Sequence, residues 1–448
     1  MLLLLSALLL AIVIRWISLE RWHGSMTAER ATEPSIDLEP TPGPTPTPTK
    51  PPVITGRLET ARLFNGLTFH GTVEPIPGRA ASEERADPES YVVDLKVRTR
   101  VPTPNRTMDE LAKVTPQLGK LLPGLAAMIK PDSVSPYFAE LYETKVKSLR
   151  ENVGRLDQLM SRHNFYDCQT ALHFQHGESH RKAVLLQADM DVDADGSDAD
   201  RIPAGNGASP NFKPFTSYKW PKKTAAPNPY LGPTEERLKR YETELAVKTT
   251  APERKRDLKA GIAQARDEIG TMKKFSFLIG ATDPYIVLPG RFSPGDGAKV
   301  GDYAVVVCGD AIYPAIVGDV GPPDKVGEAS LRIAKEINSA ATPNNRPVSD
   351  LKVSYIVFPG TAEIPFGSPD LEKLAVRCDA LVKEIGGASV PLHHWENIIP
   401  PPPTPTPSPT STATPSPSET ASPTVTPASP SPSSTFAFPT PTPSAGTR

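Results

Sequence analysis

The sequence predicts an α+β fold, because two kinds of apolar pattern alternate along it. Tyr142, Val146, Leu149, Val153, Leu156 and Met160 recur at helical spacing. The runs Ala183–Ala188, Tyr303–Ile316 and Leu351–Phe358 are instead short and apolar, bounded by Gly, Pro and Asp as strands are. A third observation limits the folded part. Pro supplies 53 of 448 residues, concentrated in Glu39–Pro52 and Ile399–Arg448. These Pro/Thr/Ser-rich segments hold too little apolar surface to offset the entropy of ordering, and they read as disordered, extended chain.

In chain order, residues 1–25 read as a signal peptide or membrane anchor. The apolar run Met1–Ile14 is shorter than the roughly 20 residues that span a bilayer, but Trp16, Ile17, Leu19 and Trp22 extend it toward an interface. The segment predicts export, with the protein secreted or anchored at the membrane or cell surface. Residues 26–52 are a Pro/Thr-rich linker. Residues 53–165 form an N-terminal helical extension, with a strand over Tyr91–Arg100, a capping box at Thr107-Met-Asp-Glu110 and a long amphipathic helix over Pro136–His163. Residues 166–397 form the main domain, interrupted at 233–271 by a helical hairpin. Leu238, Tyr241 and Leu245 line its first helix. Thr250-Ala-Pro-Glu253 caps its second, which carries Leu258, Ile262 and Ile269. Strands follow within 275–292, 301–317 and 351–358, and helices over 329–337 and 369–385. Residues 398–448 form the disordered tail.

Composition excludes some functions. A net charge of −2 is not that of a dedicated nucleic-acid binder. Cys168, Cys308 and Cys378 are odd in number and have no zinc-site spacing, and Cys308 reads as a small core hydrophobe. The chain reads as a monomer.

The most informative stretch is Val317–Ser330, where Gly318-Asp319 and Gly327-Glu328 flank a Gly-Pro-Pro turn after an apolar hairpin. Two carboxylates so placed fit glycosidic cleavage, in which one protonates the leaving oxygen and the other activates water or attacks the sugar. Glycine beside each acid permits close approach of the backbone. A second acidic feature is Asp189-Met-Asp-Val-Asp-Ala-Asp-Gly196. It begins like a calcium loop from Asp191, but its twelfth position is Ile202 and not Glu. As a strand it would set Asp189, Asp191, Asp193 and Asp195 on one face. That face would either bind a cationic substrate or lie at a solvated edge. Tyr303 and Tyr313 could stack on sugar rings or pack in the sheet. His393-His394-Trp395 reads as surface packing, because adjacent histidines point apart.

Four ordered blocks give the chain a family resemblance. Ala188–Gly196, Tyr285-Ile-Val-Leu-Pro-Gly-Arg-Phe292, Ala304–Ser330 with its Gly-Asp and Gly-Glu-Ala-Ser, and Lys352-Val-Ser-Tyr-Ile-Val-Phe358 resemble the fungal-type chitosanases of glycoside hydrolase family 75. The resemblance covers about Cys168–Trp395. It implies a β-barrel core, double-psi-like, within the α+β fold. It also implies endo-acting, inverting hydrolysis of chitosan without a cofactor, with Asp319 and Glu328 as the catalytic pair. Asp191, Asp193, Asp195 and Tyr313 are the candidate substrate-binding residues. The chain departs from the family at Val320-Gly-Pro-Pro323, where fungal members carry a polar Asn/Gly-rich turn, and at Ala194, where they often have cysteine. Two alternatives stand beside this reading: a noncatalytic exported carbohydrate-binding or envelope protein on the same barrel, and a hydrolase of another polysaccharide.

Overall fold

The computed structural model describes residues 54–57, 70–202, 212–292 and 297–399. The expected signal or anchor, the linker and nearly all of the tail lie outside the described residues. The chain divides into two compact units, Met1–Lys96 and Val97–Arg448. In the first, strands β1 (Ile54–Arg57) and β2 (His70–Val73) pair antiparallel, and a single helical turn, α1, spans Ala81–Glu84. The strand expected over Tyr91–Arg100 does not form. Val92 and Val93 are adjacent and would face opposite ways, no described strand pairs with them, and Tyr91 is 94% exposed.

The second unit is built on a closed mixed barrel. Its strands are β4 (Lys182–Asp193), β7 (Tyr285–Pro289), β8 (Tyr303–Cys308), β9 (Ala311–Gly321), β10 (Glu328–Ser330) and β11 (Val348–Val357). They run round the ring in the order β10-β7-β9-β8-β11-β4, and β4 pairs with β10 to close it. The β7–β9 and β10–β4 pairs are parallel, and the remaining ring pairs antiparallel. Strand β3 (Cys168–Gln175) lies along the first half of β4, leaving its second half, Asp191–Asp193, to β10. The β8–β9 hairpin turns through Gly309 and Asp310, with Cys308 opposite Ala311. Gly309 has φ +59°, the left-handed geometry that two-residue hairpin loops use and glycine tolerates.

Helices cover the barrel. The N-terminal ones are α2 (Met108–Val114), α3 (Leu118–Leu121), α4 (Leu125–Met128), α5 (Pro136–Glu151) and α6 (Leu156–Leu159). Helix α2 opens on the expected reciprocal capping box between Thr107 and Glu110. The long stripe stops earlier than its spacing suggests. Helix α5 ends at Glu151 with Asn152 as its C-cap, and beyond it Val153 and Leu156 are exposed while the short α6 buries Leu159 instead. Leu111, Leu118, Leu125 and Leu141 share one continuous core with Leu172, Leu185 and Val306 of the sheet. This burial, at about 25 cal/mol per Å² of apolar surface, fixes the helices to the barrel wall.

The helical insertion is α7 (Leu231–Leu245) and α8 (Pro252–Lys274), which rises from the short pair β5 (Lys219–Pro221) and β6 (Phe275–Phe277). Leu258, Ile262, Ala265, Ile269 and Met272 form its buried stripe. Thr250 does not cap α8. Its hydroxyl donates back to Glu244 O, and Pro252 starts the helix where a missing N–H costs nothing. Helices α9 (Leu331–Ile337) and α10 (Leu371–Glu384) complete the unit. Cys168, Cys308 and Cys378 are all free thiols.

The hairpin carries its own packing and its ends are held together by the Lys273–Glu235 ion pair. Replacing residues 235–270 with a short Gly-Ser linker should therefore leave a folded protein whose turnover of soluble chitosan oligomers, the substrate the family resemblance implies, stays within about threefold of the parent. Complete loss of turnover in a variant that still melts cooperatively would place the hairpin over the site.

Candidate active site

Both glycines that precede the candidate acids are required by close contacts. Between β7 and β9 the register steps from Ile286↔Val317 to Val287↔Asp319, so Gly318 is an extra residue, a β-bulge. A Cβ there would lie 2.6 Å from the Tyr285 ring and 2.7 Å from Leu278 Cδ1. Bulges re-aim the following side chain, and here that side chain is Asp319. Gly327 has φ +84°, and a Cβ on it would run into Asp189 O. Glu328 follows as the first residue of β10.

Val287 separates the two acids. It pairs with Asp319 on one side and with Glu328 on the other, so the acids stand two sheet spacings apart, about 10 Å between α-carbons. Their surroundings differ. Asp319 Oδ1 accepts hydrogen bonds from Val320 N at 2.7 Å, Ser217 N at 2.9 Å and the Ser217 hydroxyl. The Glu328 carboxyl has no hydrogen bond or ion pair among the described residues. Burial pushes Glu328 up to about 7, helped by the charges of Asp191 and Asp319 and opposed by Lys325. Burial also raises Asp319, but the Ser217 and Val320 donors oppose it by stabilising the charged form.

Two further carboxylates join them. Asp193, at the end of β4, is 4% exposed and accepts from Asp195 N at 2.7 Å. Asp195 accepts from Lys213 N at 2.9 Å. Asp193, Asp195 and Asp319 each bring an oxygen within 4.8 Å of the other two, a spacing suited to holding a cation. Burial raises Asp193 well above the carboxylate range, with Asp195 and Glu328 adding to it, and raises Asp195 to about 6. Tyr285 is fully buried beneath this group and donates its hydroxyl to Asp195 O at 3.3 Å.

The aspartate run does not share a single fate. Strand β4 is neither a calcium loop nor a solvated edge. It has β11 on one side and β3 and then β10 on the other, and Asp189 is fully buried. Asp191 faces a basic cluster. Arg346 grips it through Nε at 2.7 Å and Nη2 at 3.4 Å, Arg162 Nη2 lies 2.7 Å from it, and His163 Nε2 lies 3.6 Å away. Its oxygens thus have basic partners within the protein. Arg346 also forms a charge contact with Asp189. Tyr313 is likewise not brought to the acids. It is buried against His393 and Trp395, with ring centroids 5.1 and 6.0 Å away, and the Trp395 indole donates to Pro314 O at 2.8 Å. His393, Trp395 and Tyr313 pack together as an aromatic cluster while His394 turns outward, so the two histidines do not share a site.

Several neighbours of the site carried no sequence signal. Ser217 lies about a hundred positions before Asp319, in a loop with no periodicity, and Lys213 contributes through its backbone. Tyr285 belonged to an apolar block that reads simply as a strand. Arg162 and Arg346 are single basic residues in polar segments. The groove of about 430 Å³ on the α7–α8 hairpin, lined by Leu245, Ile262 and Arg266, holds one acid, Glu242, which pairs with Arg266, whereas the barrel gathers several carboxylates.

Residues 190–386 match the family described as fungal chitosanase of glycosyl hydrolase group 75. The chain carries a chitosanase-family glycoside hydrolase domain. A comparison with curated proteins finds no match. The matched region of this chitosanase-like enzyme holds all five candidate carboxylates on the aspartate run and β9–β10, whereas helices α2–α6 and Lys145, Arg162 and His163 precede it.

The upward shift of Glu328 makes stability depend on pH. Its folded value, about 7, exceeds the ordinary glutamate value of 4.5. The folded state therefore holds the proton more tightly, which favours folding below about 4.5 and is lost as pH rises through about 7. Melting temperature should fall between pH 4.5 and 8.5, and Glu328→Gln should reduce that fall and be the more stable protein at pH 8.5. Identical pH slopes for parent and variant would show that Glu328 does not titrate as described.

Proposed function

We propose that this domain is an endo-acting, inverting chitosanase in which Glu328 is the general acid and Asp319 the general base. The observation that carries the reading is the contrast between the two carboxyls. Glu328 is desolvated, free of hydrogen bonds among the described residues, and shifted to about 7, so it holds a proton near neutrality. Asp319 has one oxygen fixed by Ser217 and Val320, which leaves the other to orient water. Two sheet spacings leave room for that water, as inversion needs and a directly attacking carboxylate does not.

The steps follow from those positions. Glu328 gives its proton to the glycosidic oxygen as the bond from that oxygen to C1 breaks. Asp319 takes a proton from the water that attacks C1 from the opposite face, and the anomeric configuration inverts. Asp193 and Asp195 face the glucosamine ammonium groups, whose charge offsets the crowding of carboxylates. The same proposal takes 166–397 as the catalytic domain, gives its barrel double-psi connectivity, makes the enzyme a monomer, and assigns 1–25 to export and the Pro-rich tail to spacing at a surface. A second reading, hydrolysis of another polysaccharide, is favoured by one feature. Val320, next to Asp319, is 40% exposed and apolar in the turn that departs from the family pattern.

Asp319→Asn and Glu328→Gln should each lower kcat on chitosan by about 10²–10⁴-fold, the usual contribution of a positioned acid or base. NMR of the first product should show inverted anomeric configuration. Near-parental turnover by either amide variant would sink the assignment, and a retained anomer would sink the inverting step.

Salt provides a separate check on the ammonium contacts. Exposed charge attraction is screened over about 8 Å at physiological ionic strength. KM for chitosan should therefore rise with salt, and Asp195→Asn should raise KM and flatten that dependence with kcat less affected. A salt-independent KM in the parent would remove Asp195 from substrate binding. Parallel assays on chitin, peptidoglycan and β-glucan decide between the two substrate readings.

A further inference from the structure

We propose that Lys145, Tyr137 and Asp167, which precede the matched family region, are positioning residues that hold the Pro322–Gly327 turn and through it set Glu328 against Asp319. The inference rests on the assignment of those two acids. The turn is the only covalent connection between β9, which carries Asp319, and β10, which carries Glu328. Its own backbone offers little restraint. The one internal bond, from Lys325 N to Pro322 O, is 3.4 Å long, and Pro322, Pro323 and Lys325 are exposed.

The restraint comes from behind. Lys145 of α5 is 2% exposed and directs its ammonium group at three acceptors: His163 O at 2.6 Å, Asp324 O at 2.8 Å and Asp167 Oδ2 at 3.0 Å. A lysine ammonium has three donors, so all are used, and one of them grips the turn. Asp167, fully buried, extends the same contact by accepting from Val326 N at 3.4 Å. About two turns earlier on α5, the Tyr137 hydroxyl donates to Pro323 O at 3.2 Å, while its ring packs edge-on against Phe292 at 5.2 Å. Pro323, Asp324 and Val326 are thus each held by groups from Tyr137, Lys145 and Asp167. Immediately after them, Gly327 O accepts from Asp191 N at 2.8 Å and Glu328 enters the barrel.

A buried ion pair is not needed for folding strength alone, since apolar residues of similar volume often serve as well or better. What it supplies is a fixed direction. Lys145 and Asp167 have rigid supports, the helix α5 and the start of β3, and they project across to a turn that lacks support of its own. Catalysis is sensitive to such placement, because a misplacement of about 1 Å can cost about 10²-fold in rate.

The test uses the full chain and soluble chitosan oligomers. Tyr137→Phe keeps the ring and removes one bond to the turn, and should lower kcat about three- to tenfold with KM within twofold. Lys145→Met should lower kcat about 10²-fold with the same split. Tyr142→Phe removes a more deeply buried bond from the same helix, to Cys168 O, which does not touch the turn, and should leave kcat within twofold. If Lys145→Met does not fold, Tyr137→Phe decides alone. Unchanged kcat in Tyr137→Phe, a loss confined to KM, or an equal loss in Tyr142→Phe would overturn the proposal. Glu328→Gln assayed in parallel separates the two levels of inference. If Glu328→Gln is active, the catalytic assignment itself fails. If it is inactive beside a fully active Tyr137→Phe, only the positioning role fails.

Discussion

The barrel closes through three residues. Glu328–Ser330 is the strand that joins β7 to β4, antiparallel to one and parallel to the other. Without it the sheet would have two free edges at the end where the acids sit, and unpaired edges are costly or hazardous. Ser330 ties this short strand down. Its hydroxyl accepts from Ile333 N, capping α9, and from Tyr285 N at 3.2 Å, at the start of β7. The helix behind, the strand beside and the ring itself therefore meet at one hydroxyl, two residues from Glu328. Barrel closure therefore brings the proposed acid into the ring, and the turn before it sets how accurately Glu328 stands.

The site that results is electrostatically unfavourable by construction. Four carboxylates, Asp193, Asp195, Asp319 and Glu328, lie in a partly desolvated region where no arginine reaches them among the described residues. A scaffold selected only for stability would not keep this arrangement, and unfavourable groups of this kind mark functional sites more often than structural ones. The cost is distributed unequally. Donors from Ser217 and Val320 oppose the rise at Asp319, while among the described residues nothing donates to Glu328. One loop serine is thus the main difference between the surroundings of the two acids.

How much of this could be read from sequence depends on which residues carry the signal. The α+β class, the capping box at Thr107, the helical hairpin and the β8–β9 pair follow from periodicity and turn chemistry, which are local. Gly318-Asp319 and Gly327-Glu328 stood out because glycine beside an acid is a local pattern too, and the structure gives its reasons in the bulge and in the contact with Asp189. What stayed hidden was relational. Alternation along Asp189–Asp195 was visible, but the fate of each aspartate depends on Arg346, on Arg162 and on β10, which arrive from segments far away in sequence. Tyr313 had the right chemistry and the right neighbours in sequence. Trp395, more than eighty residues on, settled its place. The stripe of α5 was read too far because spacing shows which residues could face a core, not where the core ends.

The aspartate run makes the governing logic explicit. On one strand, at consecutive same-face positions, Asp189 and Asp191 are compensated and Asp193 is not. Nothing intrinsic to the strand distinguishes them. The difference is how far the basic side chains reach. Arg346, from the segment before β11, spans Asp189 and Asp191, and Arg162 adds to Asp191 from the polar turn before β3. Lys145 and Asp167 form a separate pair beside them. Below this level the charges are matched and the parts are locked together. Above it, toward Asp193, Asp195, Asp319 and Glu328, they are left unmatched. A cationic sugar entering the upper level would complete there what arginine completes below. The boundary between the two levels falls at β10, the three residues on which closure of the barrel depends.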